Sequence, residues 1–487
     1  MFLIVQGDAR QIPLPDNSVH TICTSVPFFN LRDYGTGRWE GGDAGCEHKP
    51  RTREGINGQR ANRANIDEQN GAYRESCYDC GARRIDKQIG LESTLTAYLA
   101  ELLIVFREVW RILRNDGVLF LECGDSYNAN GRQGHGTRIG YKQGTNKASA
   151  NGSDGCRSTD AKLKPLDLIG VPWRIALMLQ AEGWYLRSDT IWHHVSCMPE
   201  SVQGSQFNRH MIGTEECPGC PKCEPHGGYV LRMNAGRPTK AHSYVFILSK
   251  SEKYYFDSEG VRESHQPASL KRVALPLRTN RERDYPGSAQ TLRMGEGQQM
   301  CHPNGRNIRS VLPIPGEGFT SQTDTEHFAV MPTALAEICV KAGSSQKGVC
   351  RKCGAPWVRI VEKGEMIRVR QGSDTNGART QELATGKHGT SSIFKTGMKP
   401  TLTTLGWIPS CLCKDAGDPI PAIVFDPFGG ACTTSLVADR LGRHGVSLDL
   451  SHSYCLLGKE RLTSEAPLFA PRSETLEPPV TDSLFNF

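Results

Sequence analysis

The chain has 487 residues, a net charge of +6 and no apolar run near the roughly 20 residues that a bilayer-spanning helix needs. That length allows two or three domains, and mild basicity permits a nucleic-acid partner without requiring one. The apolar start "MFLIVQGDAR" is too short for a secretory signal, so a cytoplasmic protein is expected, in which most of the 18 cysteines are metal ligands or buried thiols rather than disulfides.

In chain order, "FLIVQGD" (2–8) and "VHTICTS" (19–25) predict two strands. A polar, cysteine-bearing tract follows at 41–85. "TLTAYLAELLIVFREVWRIL" (94–113) carries apolar residues at helical spacing and predicts a helix. "NDG" turns the chain into a buried strand, "VLFLECGDS". "LIGVPWRIALMLQAEG" predicts a helix ended by Gly183, followed by the strand "WYLRSDTIWH". "SYVFILSKS" and "KYYFDS" predict a strand pair, and "HFAVMPTALAEICVKAG" a helix. Residues 421–462 read as strand, glycine turn, helix, strand, helix. This alternation predicts an α/β sheet, and the irregular tracts 41–85, 129–165, 202–237, 261–325 and 363–400 read as insertions or mobile loops upon it.

Two motifs carry chemistry. "FDPFGGACTT" (425–434) joins a strand to a helix through glycines, which lets a ligand approach the backbone at the carboxyl edge of a parallel sheet. The next strand, "GVSLD", ends in Asp449, suited to accept hydrogen bonds from ribose hydroxyls. The turn lacks the G-x-G-x-x-G of a nicotinamide dinucleotide site. Near the other end, "TSVPFFNLRDYG" (24–35) sets a serine two residues before a proline and an aromatic directly after it.

Together these motifs resemble the amino-group DNA methyltransferases, which make N4-methylcytosine or N6-methyladenine. The matching segments also include residues 88–127, 168–193, 237–257 and 327–343, about half the chain. Catalytic motif first and cofactor loop last is the permuted order of the beta group. The resemblance implies a Rossmann-like S-adenosylmethionine methyltransferase sheet built from both chain ends. It implies S-adenosylmethionine at Asp426, Pro427, Phe428, Gly430, Thr433, Thr434 and Asp449, with Asp8 a further contact. It assigns the amine-accepting groups to the Ser25 hydroxyl and the Val26 carbonyl, with Pro27 stiffening the turn and Phe28 stacking on an extruded base. Val26 and Cys432 stand where the family usually has proline and glycine. The serine favours cytosine N4 over adenine N6. The alternatives are an adenine methylator, a catalytically weakened DNA-binding relative, or an RNA or protein methyltransferase on the same fold. No sequence feature bears on a paired restriction nuclease.

Ten cysteines fall into three clusters with structural-zinc character. Cys350 and Cys353 with Cys411 and Cys413 form one set. Cys46 and His48 with Cys77 and Cys80 form a second. Cys217, Cys220, Cys223 and His226 form a third, for which an iron–sulfur cluster is the alternative. The expected partner is double-stranded DNA, read by 268–310, where Lys271, Arg272, Arg278, Arg281, Arg283, Arg293, Arg306 and Arg309 outnumber Glu282, Asp284 and Glu296. The domain reading is 1–40 catalytic motif, 41–85 Cys/His insertion, 86–260 core, 261–325 target recognition, 326–465 cofactor part with a ribbon insertion at 348–415, and 466–487 tail.

Overall fold

The computed structural model describes residues 1–29, 34, 36–48, 76–77, 79–92, 94–128, 163–164, 167–196, 206–212, 215–221, 223–232, 238–266, 305–317, 330–370, 396–414 and 416–465. The elements run β1 (Phe2–Gln6), β2 (Val19–Ser25), β3 (Arg38–Glu40), β4 (Arg83–Ile85), α1 (Leu95–Ile112), β5 (Leu113–Cys123), α2 (Val171–Ala181) and β6 (Tyr185–His194). Then come β7 (Gln206–Arg209), β8 (Met211–Ile212), β9 (Glu215–Glu216), β10 (Tyr229–Arg232), β11 (His242–Ser249), β12 (Val311–Ile314) and α3 (Thr333–Gly343). The chain closes with β13 (Trp357–Arg370), β14 (Thr396–Pro409), β15 (Ile423–Asp426), α4 (Thr433–Arg440), β16 (His444–Asp449) and α5 (His452–Glu465).

Eight strands form one sheet in the order β1-β16-β15-β2-β5-β11-β6-β12. All are mutually parallel except β11, which pairs antiparallel with both β5 and β6. The C-terminal strands β15 and β16 lie between the N-terminal β1 and β2, so the sheet is assembled from both chain ends. The N-cap Thr94 side chain starts α1 by accepting from the Ala97 amide at 3.1 Å. Its buried Leu95, Tyr98, Leu102, Val105, Phe106, Val109 and Ile112 then pack with α2 on one face. Asp125 caps α2, accepting from the Gly170 and Val171 amides at 3.0 and 3.1 Å. On the opposite face α3 and α4 pack through Leu335, Ala336, Cys339, Val340, Val437 and Ala438. Among the described residues no helix is long and apolar enough to cross a membrane.

The structure departs from the sequence reading in four places, the first being that β12, from the tract 261–325 read as an insertion, pairs in parallel with β6 at an edge of the main sheet. "KYYFDS" is not a strand, because both edges of β11 are already taken by β5 and β6. Its amides instead reach Asp116 and Ala342 carbonyls, from Tyr255 at 2.8 Å and Asp257 at 2.7 Å. "NDG" is not a turn before β5 but a bulge within it, between the pairs Val19↔Leu113 and Thr21↔Val118. The outer residues of the tract 363–400 are strands: they pair in the β13–β14 ribbon, as Met366↔Pro400 to Arg370↔Thr396, while 371–395 lies outside the described residues.

Cys432 enters α4 in the left-handed region, φ 54° and ψ 33°, a conformation strained for a side chain. Its sulfur is buried against α5, where a Cβ on Gly458 would lie 2.3 Å from it. The cysteine that replaces a usual glycine therefore fits because a glycine faces it. Gly458→Ala is expected to cost about 1–3 kcal/mol by overpacking, and Cys432→Gly in the same chain to remove most of that loss. Denaturant midpoints of the two single variants and the double variant check this; equal losses with and without Cys432 would show that the contact is not the cause.

Candidate active site

Four adjacent parallel strands, β1, β16, β15 and β2, end on the same edge of the sheet, and their carboxyl-terminal loops line one cavity that opens to solvent. From β1 come Gly7 and Asp8; from β2, Ser25, Val26, Pro27 and Phe28; from β15, Pro427, Phe428 and Gly430; from β16, Asp449. Nine of these ten are expected site residues. A ligand at such an edge meets loop backbone and strand-end side chains together.

Buried hydrogen bonds hold the two chain ends in register. Asp426 Oδ1 accepts from Thr24 Oγ1 at 2.6 Å and from the Phe428 amide at 3.0 Å. Thr434 Oγ1 donates to the Cys23 carbonyl at 2.9 Å. Thr433 Oγ1 accepts from Arg461 Nη1 at 2.8 Å, and the same nitrogen reaches the Ala431 carbonyl. Asp426, Thr433 and Thr434 are thus buried behind the cavity wall, where they brace the glycine turn instead of facing a ligand. Asp449 does face the cavity. Its two oxygens accept from the Gly430 and Ser451 amides, each at 2.8 Å, leaving a further lone pair on each for a hydroxyl.

Val26 is buried in the main core, so an apolar side chain at this motif position is accommodated by packing. The Pro27 carbonyl accepts from the buried Tyr98 hydroxyl at 2.7 Å. The two phenylalanines diverge. Phe29 packs inward, its ring 5.2 Å from that of Tyr98. Phe28 lines the cavity with its ring against the backbone of Gly124, where a Cβ would come within 2.7 Å of the ring.

Charge differs between the carboxyls. Burial opposes ionisation of Asp8, but hydrogen bonds from Arg10 and the charges of Arg10 and Lys87 outweigh it and hold Asp8 below its ordinary value. Burial raises Asp449, against the pull of its two amide donors. Burial pushes Asp426 up to about 6, partly offset by Thr24, the Phe428 amide and Thr434 and reinforced by the charge of Asp449.

The cavity also takes a wall that sequence reasoning missed: Tyr34, Thr36, Lys87, Gln88, Ile89 and Tyr454. These flank the Cys/His insertion or follow β16. No periodicity marks them, and only their nearness to the motifs in the chain hinted at a role.

Each cysteine cluster brings four ligand atoms within 4.8 Å of one another. Tetrahedral zinc with Zn–S near 2.3 Å sets its ligand atoms roughly 3.8 Å apart. Cys46 and Cys77 sulfurs are 3.7 Å apart, as are those of Cys220 and Cys223, and Cys80 lies 3.4 Å from His48 Nδ1. Cys350, Cys353, Cys411 and Cys413 gather as expected. In the third cluster the histidine that meets the thiols among the described side chains is His210, with Nδ1 3.3 Å from Cys220; the side chain of His226, the histidine expected there, lies outside the described residues. The His210 amide bonds to the Gly228 carbonyl and its carbonyl to the Cys217 amide, which folds this residue from outside the cysteine run against the thiols. Of the expected DNA-reading residues, Lys271, Arg272, Arg278, Arg281, Arg283 and Arg293 lie outside the described residues. Arg306 and Arg309 both pair with Glu263 Oε2, at 2.6 and 2.9 Å.

A parallel sheet with a glycine turn, acidic strand ends and a Ser-Val-Pro-Phe loop around one cavity has the form of a group-transfer enzyme with a nucleotide-like cofactor. Residues 19–350 match the model of the N6/N4 DNA methylase family, and the chain belongs to that family of enzymes, which methylate amino groups in DNA. It is 29% identical over 393 residues to the Type II methyltransferase M.Cfr9I of Citrobacter freundii, covering 77% of this chain and 89% of that one. It is 29% identical over 347 residues to M.SmaI of Serratia marcescens, covering 71% and 76%. The solved PvuII DNA methyltransferase (cytosine-N4-specific) overlaps 94% of this chain and 86% of its own, with 13% identity and a TM-score of 0.41.

The state of Asp426 yields a test. Its folded pKa is raised above the unfolded value of 3.8, so the fold holds this proton more tightly than the unfolded chain does. The resulting stabilisation is present at low pH and is lost as pH rises through about 4 to 6. Asp426→Asn keeps an acceptor for Thr24 and Phe428 but cannot ionise. Between pH 4 and 7 the wild type should lose on the order of 2–3 kcal/mol relative to this variant, read from paired denaturation curves. Parallel curves would refute the buried, proton-holding role.

Proposed function

We propose that this chain is a Type II, site-specific DNA methyltransferase that transfers the methyl group of S-adenosylmethionine to an exocyclic amine of double-stranded DNA, and that the amine is cytosine N4. One observation carries the reading: the Ser25–Phe28 loop and the Pro427–Gly430 turn share a cavity with Asp8 and Asp449. The relatives' designation as Type II methyltransferases supports the site-specific, restriction–modification setting, which also suits a cytoplasmic enzyme.

The residues present fit the cofactor. Apolar Pro427, Phe428, Tyr34 and Ile89 offer a surface for an adenine, Asp449 an acceptor for ribose hydroxyls, and Asp8 a negative charge for an ammonium group. When bound, S-adenosylmethionine supplies an electrophilic methyl on a sulfonium. The chain's task is to present a nucleophile. An exocyclic amine is weakly nucleophilic because its lone pair is delocalised into the ring. Ser25 Oγ and the Val26 carbonyl accept the two amino hydrogens and favour a tetrahedral nitrogen with its lone pair toward the methyl. Phe28, backed by Gly124, stacks on the base once it leaves the duplex. Alignment and charge then do the catalytic work, with no cysteine nucleophile. The compact serine hydroxyl favours the cytosine amine; adenine N6 is the second product to look for.

The three four-ligand clusters, with His210 in the third, are structural zinc sites in this reading, each closed by four protein ligands. Residues 268–310 contact DNA. The domain divisions and the beta-group motif order belong to this proposal, with β12 of the 261–325 tract joined to the core sheet.

Three measurements test the proposal. Mass spectrometry of nucleosides from DNA treated with enzyme and cofactor should give N4-methylcytosine. N6-methyladenine alone would overturn the choice of base, and a carbon-5 product the roles of Ser25 and Phe28. Ser25→Ala should lower kcat by roughly 10²-fold with cofactor affinity kept. Elemental analysis should find three Zn²⁺ per chain, and metal-free active protein would refute all three sites.

A further inference from the structure

The missed cavity wall and the first cysteine cluster are two ends of one object. The chain leaves the catalytic motif through Tyr34 and Thr36, runs out along β3, reaches Cys46 and His48, returns through Cys77 and Cys80 into β4, and re-enters the cavity at Lys87, Gln88 and Ile89. β3 and β4 pair antiparallel, Arg38↔Ile85 to Glu40↔Arg83. The result is a two-stranded tongue with the cavity at its root and the four metal-ligand atoms at its outer end.

The root is joined to the site by specific contacts. The Tyr34 amide donates to Gln88 Oε1 at 2.7 Å, and Thr36 Oγ1 to Asp86 Oδ1 at 2.7 Å. Arg84 and the Gln88 amide hold the same Asp86 carboxylate. Arg10, paired with Asp8 and Glu101, donates to the Lys87 carbonyl at 2.8 Å. The Tyr34 ring meets Tyr454 edge-on at 5.7 Å, and both line the cavity. Gly90 passes so close to the Phe28 carbonyl that a Cβ would lie 2.8 Å from it. The tongue's root therefore touches the Asp8 side, the Tyr454 side and the base-stacking loop at once.

Among the described residues the tongue has little apolar core of its own. Its strands have three residues each, and β3 shows the exposure pattern of a surface ribbon. Cys77 and Ala82 are its buried apolar residues among those described between 36 and 86. A lone two-stranded hairpin is marginal in water, and a segment with so little core needs a staple. The staple is the cluster: Cys46 and Cys77 come from opposite arms, as do His48 and Cys80, and the Trp39 ring of β3 stacks on His48 at 4.8 Å and 18°.

We propose that the metal bound by Cys46, His48, Cys77 and Cys80 is a positioning centre for the active site, which fixes the β3–β4 tongue so that Tyr34, Thr36, Lys87 and Gln88 form the cofactor-side wall. This rests on the cofactor reading above and assigns one metal site a task that the other two do not share. None of the four clustered side chains lines the cavity itself, but the strands that carry them end in its wall, whereas no cavity-lining residue lies on β7–β10 or on the β13–β14 ribbon beside the other two clusters.

The test uses the full chain, with Cys46→Ser/Cys80→Ser as the variant and Cys217→Ser/Cys220→Ser as its control. Both should lose one Zn²⁺ per chain by elemental analysis. The tongue variant should bind S-adenosylmethionine at least roughly tenfold more weakly by calorimetry, while the control binds like wild type. Amide hydrogen exchange at 34–40 and 83–89 should become fast in the tongue variant alone, with β5 and β15 still protected. Metal loss with unchanged cofactor affinity and unchanged exchange would overturn the proposal, as would an unchanged metal count. If wild-type protein binds no S-adenosylmethionine, the cofactor reading fails, and the exchange arm still decides whether the metal fixes the tongue. If the variant loses its cooperative unfolding transition, wild-type protein stripped by chelator and refilled with zinc replaces it, with reversible exchange at 34–40 and 83–89 as the supporting result and indifference to zinc as the refuting one.

Discussion

The active site depends on a buried hydrogen bond between residues some four hundred positions apart. Thr24 Oγ1 meets Asp426 Oδ1 at 2.6 Å where β2 and β15 end side by side. Backbone pairing between these strands is short, Val424↔Thr21 and Phe425↔Ile22, so side chains must complete the joint. The Thr434 hydroxyl on the Cys23 carbonyl is the second tie. In a low-dielectric interior an unmade bond of this kind is costly, which specifies one register for the two chain ends. That register brings the Ser25–Phe28 loop and the glycine turn to the same cavity.

The joint also explains where carboxylates sit. Asp426 serves structure, and burial pushes its carboxyl up to about 6. Asp8 serves the surface of the cavity and is held ionised by Arg10. Two acidic residues, each following a strand, thus take opposite tasks because one has a guanidinium partner and the other a hydroxyl and an amide.

Outside the sheet, the chain stabilises its insertions differently. The sheet has apolar layers on both faces, whereas the β3–β4 tongue, the His210 region and the base of the β13–β14 ribbon each gather four thiol or imidazole ligands. A small excursion cannot bury enough apolar surface to order itself, and each of these has a close ligand set where a core is lacking. The ribbon base adds a stacked Arg359–Trp407 pair and an ion pair from Arg359 to Asp257, which lock it to the sheet domain.

Local signals in the sequence determined most of the strands and helices, the strand–turn–helix near the C-terminus, the Ser-Val-Pro-Phe loop and two of the three ligand sets. Such features are written over a few consecutive residues: helical spacing in α1, a glycine pair after an apolar strand, Cys-x-x-Cys turns. What only the tertiary structure decided were relations between distant segments. "KYYFDS" has the alternation of a strand but no free strand edge beside β11. Asp426, Thr433 and Thr434 stand in the cofactor motif yet face inward, because β2 lies against them. His210 joins the thiols from outside the cysteine run since a fold of the backbone carries it there, and Tyr34 joins Lys87 at the cavity because β3 pairs with β4. Pairing and burial are set by which surfaces meet after the chain collapses, and no short window of sequence holds that information.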